Sequence, residues 1–490
     1  MGQTIPHWLE KQNDLNPDKT AIEFAGGGRL TFAELREESR RLAGGMLLQG
    51  IQRGDHIALL VSNQLSTPLF IHALSYIGAV GVLLNTRLTA EELAYQLDDA
   101  DVKKLIADKE HLEKGIKAAD LTSLGADDVY SSSRFPKVEE ASDLNTSLDF
   151  SDPYTMIYTS GTTGQPKAVI HTYGNHWFSA VASALNLGIE AKDKWLLCLP
   201  VFHVGGFSIL MKNVIYGMPI VLFNNFDAGK INDQIMENGV TIISVVTVML
   251  QRLLKDLGRG SYPESFRGML LGGGPAPEPL LYEAYEKNIS VFQSYGMTET
   301  SSQICTLSPG EAFRKIGSAG KALSPAELKI DQSEPGRIGE ILVKGPMVSE
   351  GYYKKQKREN EFLKTGDLGY MDKEGFLYVV DRVKDMIISG GENIYPAEIE
   401  SVLTGIEGVQ EAGVTGIKDD EWGEVPAAFL VLENNMPLDI EKIKAYCREK
   451  LAGYKVPHVF YILEELPRNA SNKILRRKLL ETYERNNEGA

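Results

Sequence analysis

The sequence predicts an α/β fold: a large N-terminal domain of two doubly wound α/β units plus a small β-rich unit, followed by an α+β C-terminal domain. Three observations carry this. Helical and strand signals alternate across Asp18–Ile106 and again after residue 170, the mark of parallel sheets covered by helices. From Ile316 to Val380 short strand-like runs are punctuated by Gly336, Gly339, Gly345, Gly351, Gly366 and Gly375. After Asp381-Arg382-Val383-Lys384 helices and strands return and the chain turns basic, with six Lys/Arg against two Glu between Leu466 and Arg485. The expected domains are 1–381 and 385–490, the second of about a hundred residues, within the usual range.

The elements follow in order. Thr31 with Glu34 forms a capping box that opens an amphipathic helix over Phe32–Leu48. His56–Val61 is a buried strand, Ser66–Ile77 a helix and Ala79–Leu84 another strand. Met156–Tyr158 and Val169–Ile170 are short strands joined by a loop. A helix over Tyr173–Leu187 leads to the strand Trp195–Leu199, a helix over Phe207–Tyr216, and strands at Ile220–Phe223, Thr241–Val246 and Gly268–Leu271. Past the glycine-punctuated region, Pro396–Leu403 and Ile440–Leu451 are helical, and Val409–Val414 and Ala427–Leu432 are strands. Asp127–Asp152 is the candidate flexible surface segment.

At 490 residues the chain holds two to four packing units. Its 43% hydrophobic and 24% charged residues are those of a globular protein. A net charge of −15 argues against nucleic acid or an anionic membrane as general partner. Cys198, Cys305 and Cys447 are far apart and make neither a metal-ligand spacing nor a disulfide framework. The first residues lack the basic and apolar regions expected of a signal peptide, and the most apolar window, Val204–Phe223, is interrupted by Lys212, Asn213 and Pro219. A reducing cytoplasm is expected.

The most informative stretch is Tyr158-Thr-Ser-Gly-Thr-Thr-Gly-Gln-Pro-Lys-Ala-Val169. Thr159, Ser160, Thr162 and Thr163 are interleaved with Gly161 and Gly164, and Lys167 closes the run. Small residues let backbone N–H groups turn inward around an anion, hydroxyls add donors, and the lysine adds charge. This is a polyphosphate cradle. It is not a Walker A loop, because Pro166 precedes the lysine and no Ser/Thr follows it. Further on stand Leu271-Gly272-Gly273-Gly274-Pro275-Ala276, Gln293-Ser294-Tyr295-Gly296-Met297-Thr298-Glu299, Thr365-Gly366-Asp367, Ser389-Gly390-Gly391 and Pro467–Arg476 around Lys473. Alone, each of these reads as an ordinary turn. Together and in order they do not, since chance matches would not also fall in sequence.

These motifs resemble those of the adenylate-forming superfamily, which includes acyl- and aryl-CoA synthetases, peptide-synthetase adenylation domains and luciferases. Ala168 replaces the glycine usual after the Pro-Lys pair, and Asn472 replaces the glycine usual before Lys473. The resemblance implies an AMP-forming ligase with ATP and CoA as co-substrates and magnesium as cofactor. It implies phosphate contacts from Thr159–Gly164 and Lys167, and backbone contacts to nucleotide and acyl group from Gly272–Pro275. Ser294, Gly296 and Met297 line the nucleotide, Tyr295 stacks on adenine, Thr298 contacts phosphate and Glu299 holds magnesium. Asp367 and Arg382 grip the ribose. Lys473 reaches the forming acyl–phosphate bond, and Ser389–Gly391 line the thiol channel. One crevice then serves two half-reactions, so the C-terminal domain is expected to be mobile about a hinge at 382–384, centred on Lys384.

Over nearly its full length the chain looks like an aryl-CoA synthetase branch. Tyr173–Gly188, Val214–Gly217, Leu271–Ala276, Gln293–Glu299 and Leu466–Lys473 carry that likeness. The acid of that branch has an aromatic ring, a benzoate carboxylate to be left alone and a succinyl carboxylate to be activated. The implied slot is His203, Phe207, Thr247, Gly273 and Ser294, with Ser301, Ser302 and Gln303 beyond Glu299. His203 is also a candidate catalytic group at the floor of the site, although a lone histidine is more often structural. Lys212 either faces the spectator carboxylate or snorkels from an amphipathic helix. A ligase for another aryl or fatty acid, a peptide-synthetase domain and a non-catalytic nucleotide-binding protein are the alternatives. The expected partners are small molecules, and a homo-oligomer stays open.

Overall fold

The computed structural model describes residues 3–135, 138, 143–159, 165–274, 276–331, 336–358, 361–390, 392–419, 421–433, 439–468 and 473–487. The chain divides into two compact units, Met1–Leu328 with Val343–Leu363, and Lys329–Leu342 with Lys364–Ala490.

Two sheets organise the first unit. A six-stranded sheet runs in the order Lys167–Thr172, Pro153–Thr159, Val80–Leu83, His56–Leu60, Lys104–Ala107, Val129–Ser131, parallel except for its first pair. A nine-stranded sheet runs Lys321–Ala322, Ser302–Leu307, Val291–Met297, Gly268–Leu271, Ile242–Val245, Trp195–Leu197, Ile220–Leu222, Thr20–Phe24, Arg29–Thr31. Its six central strands are parallel and its margins antiparallel. The strands read as unbroken apolar runs because both faces are covered. Leu59, Leu83 and Ile157 of one sheet share a central core with Trp195, Leu197 and Ile220 of the other. The opposite faces are buried separately, around Ala58, Val82 and Met156 and around Leu196, Val221 and Ile243.

The two α/β units are therefore present, but they are not in simple tandem. Thr20–Phe24 joins the second sheet, parallel to Ile220–Leu222, whereas local alternation assigned it to the first. Sequence periodicity reports that a strand is buried, not which neighbour buries it. The Thr31–Glu34 capping box forms as expected, with Glu34 N donating to Thr31 Oγ1 (3.2 Å) and Thr31 N donating to Glu34 Oε2 (2.8 Å). The helix expected from Phe207 begins earlier, at Val204, and ends at Tyr216. Gly206 explains the early start. A Cβ there would collide with the Pro200 carbonyl, so only glycine lets the helix begin against that turn.

The second unit holds a four-stranded sheet ordered Glu327–Ile330, Gly339–Lys344, Leu363–Met371, Leu377–Arg382. It also holds a five-stranded sheet containing Glu392–Ile394, Ile387–Ser389, Gly423–Leu432 and Val409–Asp419, with Val459–Ile462 paired parallel to Gly423–Leu432. Helices Pro396–Thr404 and Ile440–Lys450 cover one face through Ile399, Leu403, Ile443 and Cys447. Helix Arg476–Asn487 covers the other through Leu479. The expected boundary at 382–384 falls inside this unit, between its two sheets.

A half-buried ion cluster locks the last helix in place. Arg476 Nη2 lies 2.8 Å from Glu400 Oε1, its Nε donates to the Val414 carbonyl (3.0 Å), and its Nη1 lies 3.8 Å from Asp385. Val414 N donates to the same Glu400 oxygen (2.8 Å). Burial pushes the Glu400 carboxyl above its ordinary range, against the pull of Arg476. Arg476→Met strands that carboxylate, which should cost about 3 kcal/mol. A carboxyl whose folded pKa is raised binds its proton more tightly in the folded state, so acid favours folding through it. Thermal unfolding should show a large deficit for Arg476→Met at pH 8 and a smaller one as pH falls and Glu400 protonates. A deficit independent of pH would show that Glu400 is not the stranded group.

Candidate active site

Three parallel strands pair in register as far as Val245, Leu271 and Gln293. Past that edge the chain turns into Thr247, which opens helix Thr247–Leu257, into Gly272, Gly273 and Gly274, and along Ser294–Met297. His203 sits on the same side as the N-cap of helix Val204–Tyr216, which follows Trp195–Leu197. The carboxyl edge of an open α/β sheet is where ligands settle, because the loops leaving it diverge and open a crevice. The Ser294 hydroxyl donates to the Leu271 carbonyl (3.0 Å) and ties one strand end to the glycine loop. Tyr295 is half-buried and Gly296 exposed. A Cβ at Gly296 would collide with the Ser302 carbonyl across a bulged antiparallel pair, so this turn admits no side chain there. Pro275 lies outside the described residues.

Thr298 and Glu299 are joined to the signature loop by contacts that the motifs do not reveal. Thr159 and Lys167 pair across an antiparallel hairpin, as the strand–loop–strand reading requires; Ser160, Gly161, Thr162, Thr163 and Gly164 lie outside the described residues. Lys167 Nζ stands 5.3 Å from the centroid of the Tyr352 ring. The Tyr352 hydroxyl donates to Glu299 Oε1 (2.8 Å), and burial beside that carboxylate raises the tyrosine's pKa. Glu299 is buried, and among the described residues its Oε2 has no hydrogen-bond partner. A buried carboxylate with one oxygen left open fits magnesium, which takes one or two carboxylates and fills its remaining positions with phosphate and water. Behind the turn, His171 donates through Nε2 to the Thr298 carbonyl (2.7 Å). Burial lowers the pKa of His171 to about 4 and keeps it neutral at physiological pH.

The acid-slot residues separate into two groups. His203, Thr247 and Ser302 are partly exposed, as are Gly273 and Ser294. Phe207, Ser301 and Gln303 instead lie behind the surface. Phe207 is fully buried between Tyr154 and His176, at ring centroid distances of 5.9 and 4.9 Å. Ser301 adopts a left-handed φ of 56°, which turns its hydroxyl to the Met347 carbonyl (2.9 Å). Gln303 Nε2 donates to Thr306 Oγ1 (3.0 Å). Lys212 does not snorkel. It is 2% exposed, with Nζ 4.6 Å from the Trp195 ring centroid, and among the described residues no carboxylate pairs with it. Burial alone lowers its pKa to about 7.

The second unit carries the remaining candidates. Asp367 is buried opposite Arg382 in an antiparallel pair, with Arg382 Nε 3.2 Å from Asp367 Oδ1. Gly366, at φ 74°, donates its N–H to Glu340 Oε1 (3.0 Å) and sets the turn that aims Asp367. Lys384 is exposed in the turn after Arg382, and Lys473 is exposed just before the last helix. Ser389 is buried, Gly390 donates its N–H to the Trp422 carbonyl (2.8 Å), and Gly391 lies outside the described residues. Sequence reasoning missed Tyr352, His171 and Trp195. Of these only Tyr352, in the run Gly351-Tyr352-Tyr353, carried a usable signal: adjacent aromatics after a glycine in a polar stretch.

The family model described as AMP-binding enzyme matches residues 9–353, and the one described as AMP-binding enzyme C-terminal domain matches residues 398–473. The 2-succinylbenzoate–CoA ligase of Oceanobacillus iheyensis is 53% identical, covering 98% of this chain and 100% of its own. The o-succinylbenzoate CoA synthetase of Bacillus subtilis, solved with its acyl-adenylate intermediate, is 45% identical with a TM-score of 0.92, covering 97% of this chain and 98% of that one. The same enzyme solved with ATP and magnesium gives a TM-score of 0.91 at 44% identity, covering 98% of this chain and 100% of that one. The loops of the carboxyl edge, the Glu299 turn and the Asp367–Arg382 pair thus sit in a chain that belongs to the AMP-binding enzyme family, in its 2-succinylbenzoate–CoA ligase branch.

Proposed function

We infer that this chain activates o-succinylbenzoate with ATP and passes the acyl group to CoA, giving o-succinylbenzoyl-CoA for menaquinone biosynthesis. The observation that carries the substrate is the 53% identity, over nearly all of both chains, to 2-succinylbenzoate–CoA ligase. A carboxylate resists a thiol because its leaving group would be oxide. When its oxygen bonds to the α-phosphorus of ATP and pyrophosphate departs, the acyl carbon gains AMP as a good leaving group. Thiol attack then forms the thioester and releases AMP.

Thr159–Gly164 and Lys167 cradle the phosphates, and Thr298 adds a phosphate contact. Glu299 would hold magnesium, which would supply charge neutralisation for the departing pyrophosphate. Gly272–Pro275 and Ser294–Met297 line the nucleotide, with Tyr295 on adenine. Asp367 accepts from the ribose hydroxyls, while Arg382 donates and holds Asp367 in line. Ser389–Gly391 line the thiol channel, His203 lies at the floor of the acyl site, and residues 385–490 move as a domain about 382–384. Lys473 brings a compact charge on a flexible stem to the forming acyl–phosphate bond.

His203, Thr247, Gly273, Ser294 and Ser302 form the slot for the ring, backed by Phe207, Ser301 and Gln303. Lys212 receives the spectator carboxylate, directly or through water. The support is its burial with no counter-ion among the described residues: an amine kept there costs stability that a bound carboxylate returns.

Purified protein given ATP, magnesium and CoA should release AMP and acyl-CoA with o-succinylbenzoate. Rapid turnover of a benzoate or a fatty acid, with none of o-succinylbenzoate, would overturn the substrate assignment. Lys212→Leu should raise KM for o-succinylbenzoate by roughly ten- to a hundredfold, about 1.5–3 kcal/mol. KM for ATP and CoA should stay nearly unchanged, and the variant should unfold at the same or a higher temperature. Because the free amine titrates near 7, wild-type KM for the acid should climb as pH rises past that value, a slope missing in the variant. Unchanged acid kinetics would remove Lys212 from the site. Lys473→Ala should abolish acyl-adenylate formation and leave thioester formation from supplied adenylate largely intact. Equal loss of both steps would count against domain alternation.

A further inference from the structure

The segment Ser349–Tyr353 belongs to none of the motifs, yet it is stitched to two of them. Ile170 N donates to the Gly351 carbonyl (3.2 Å), Tyr353 N donates to the Ala168 carbonyl (2.8 Å), and Tyr352 bridges Val169. These bonds add the segment to the strand that leaves the signature loop. On its other side Ser349 N donates to the Glu299 carbonyl (2.8 Å), while the Ser349 hydroxyl donates back to Ile170 (2.6 Å). Tyr352 is therefore held by the backbone of its segment between the strand that follows the signature loop and the Glu299 turn. Its side chain touches both: the hydroxyl meets Glu299 Oε1 at 2.8 Å, and the ring lies 5.3 Å from Lys167 Nζ.

A glutamate side chain has three rotatable bonds, and magnesium demands near-octahedral geometry with short bonds to oxygen. A carboxylate free to wander serves such an ion poorly. A donor fixed on one oxygen sets the plane of the group and aims the other. Groups that orient a metal ligand in this way are worth about ten- to a hundredfold in metal affinity. The ring contributes separately, because a cation near an aromatic face is attracted by the ring quadrupole.

We propose that Tyr352 is a positioning residue for the adenylation step: its hydroxyl orients the Glu299 carboxylate for magnesium, and its ring keeps Lys167 beside the phosphates. The proposal rests on the reading of Glu299 as magnesium ligand, and the experiment separates the two. Tyr352→Phe removes one oxygen and retains the ring and the backbone pairing. Its half-saturating magnesium for acyl-adenylate formation should rise about tenfold. Manganese affinity of its complex with a non-hydrolysable ATP analogue, followed by the spin-resonance signal of free manganese, should fall by the same factor. Thioester formation from supplied acyl-adenylate should stay within twofold of wild type. Glu299→Gln should weaken the metal further, and the double variant should be no worse than Glu299→Gln alone, since Tyr352 acts through that carboxylate. Unchanged metal affinity in Tyr352→Phe, additive losses in the double variant, or a parallel fall in thioester formation would overturn the role of Tyr352. Unchanged metal affinity in Glu299→Gln would instead overturn the magnesium assignment.

Discussion

The site depends on one tight reversal, the turn that carries the chain from the strand Val291–Met297 into the antiparallel strand Ser302–Leu307. Gly296 has no room for a side chain, Ser301 and Ser302 take φ values of 56° and 126°, and Thr300 spends its hydroxyl on the Met297 and Ser302 carbonyls. Positive φ outside glycine costs energy, so such a turn persists only where its surroundings over-determine it. Here they do. His171 holds the Thr298 carbonyl, Ser179 donates to the Ser301 carbonyl, Ser301 reaches Met347, and Ser349 with Tyr352 closes on Glu299. The result is a buried carboxylate placed where the parallel sheet ends and the nucleotide loops begin.

That dependence explains which parts of the molecule were legible in the sequence. Strands buried on both faces announce themselves as apolar runs, and Thr31 with Glu34 predicted a capping box that forms. The glycine-rich loops and the Thr365-Gly-Asp motif were legible because backbone turns require particular residue types. The order of strands was not. Thr20–Phe24 crosses to the second sheet, and nothing local to those five residues says so. The helix start at Val204 was missed because it depends on the Pro200 carbonyl, a contact made only in the folded chain.

In the site, motifs identified residues but not the bonds among them. Glu299 was readable as a candidate ligand from its neighbours in sequence, whereas its tyrosine partner lies 53 residues away. The acid slot was least legible of all. Phe207, Ser301 and Gln303, which the resemblance assigns to the slot, have buried side chains. Spacing along a helix cannot distinguish a residue that lines a cavity from one that supports the lining, because both are apolar or uncharged and both are buried.

Lys212 shows why that distinction matters for specificity. On a helix of otherwise apolar and small residues, a lysine reads equally as a snorkelling side chain or a buried one. Burial settles it, and burial is expensive. With no counter-ion among the described residues, an ammonium there loses its hydration, so burial brings it toward neutrality near physiological pH. A chain selected for stability alone would place leucine there. On the proposed reading the amine becomes favourable once a carboxylate enters, and an acid lacking that second carboxylate leaves it stranded. Discrimination therefore comes from the unpaired state as much as the paired one, the same asymmetry by which sites built to bind a polar group reject analogues without it. Glu299 is alike in one respect: it is a buried acidic side chain whose Oε1 accepts from the neutral Tyr352 hydroxyl. Both groups are buried by the fold at a cost to stability, and on the proposed reading the acid and the metal are what offset that cost.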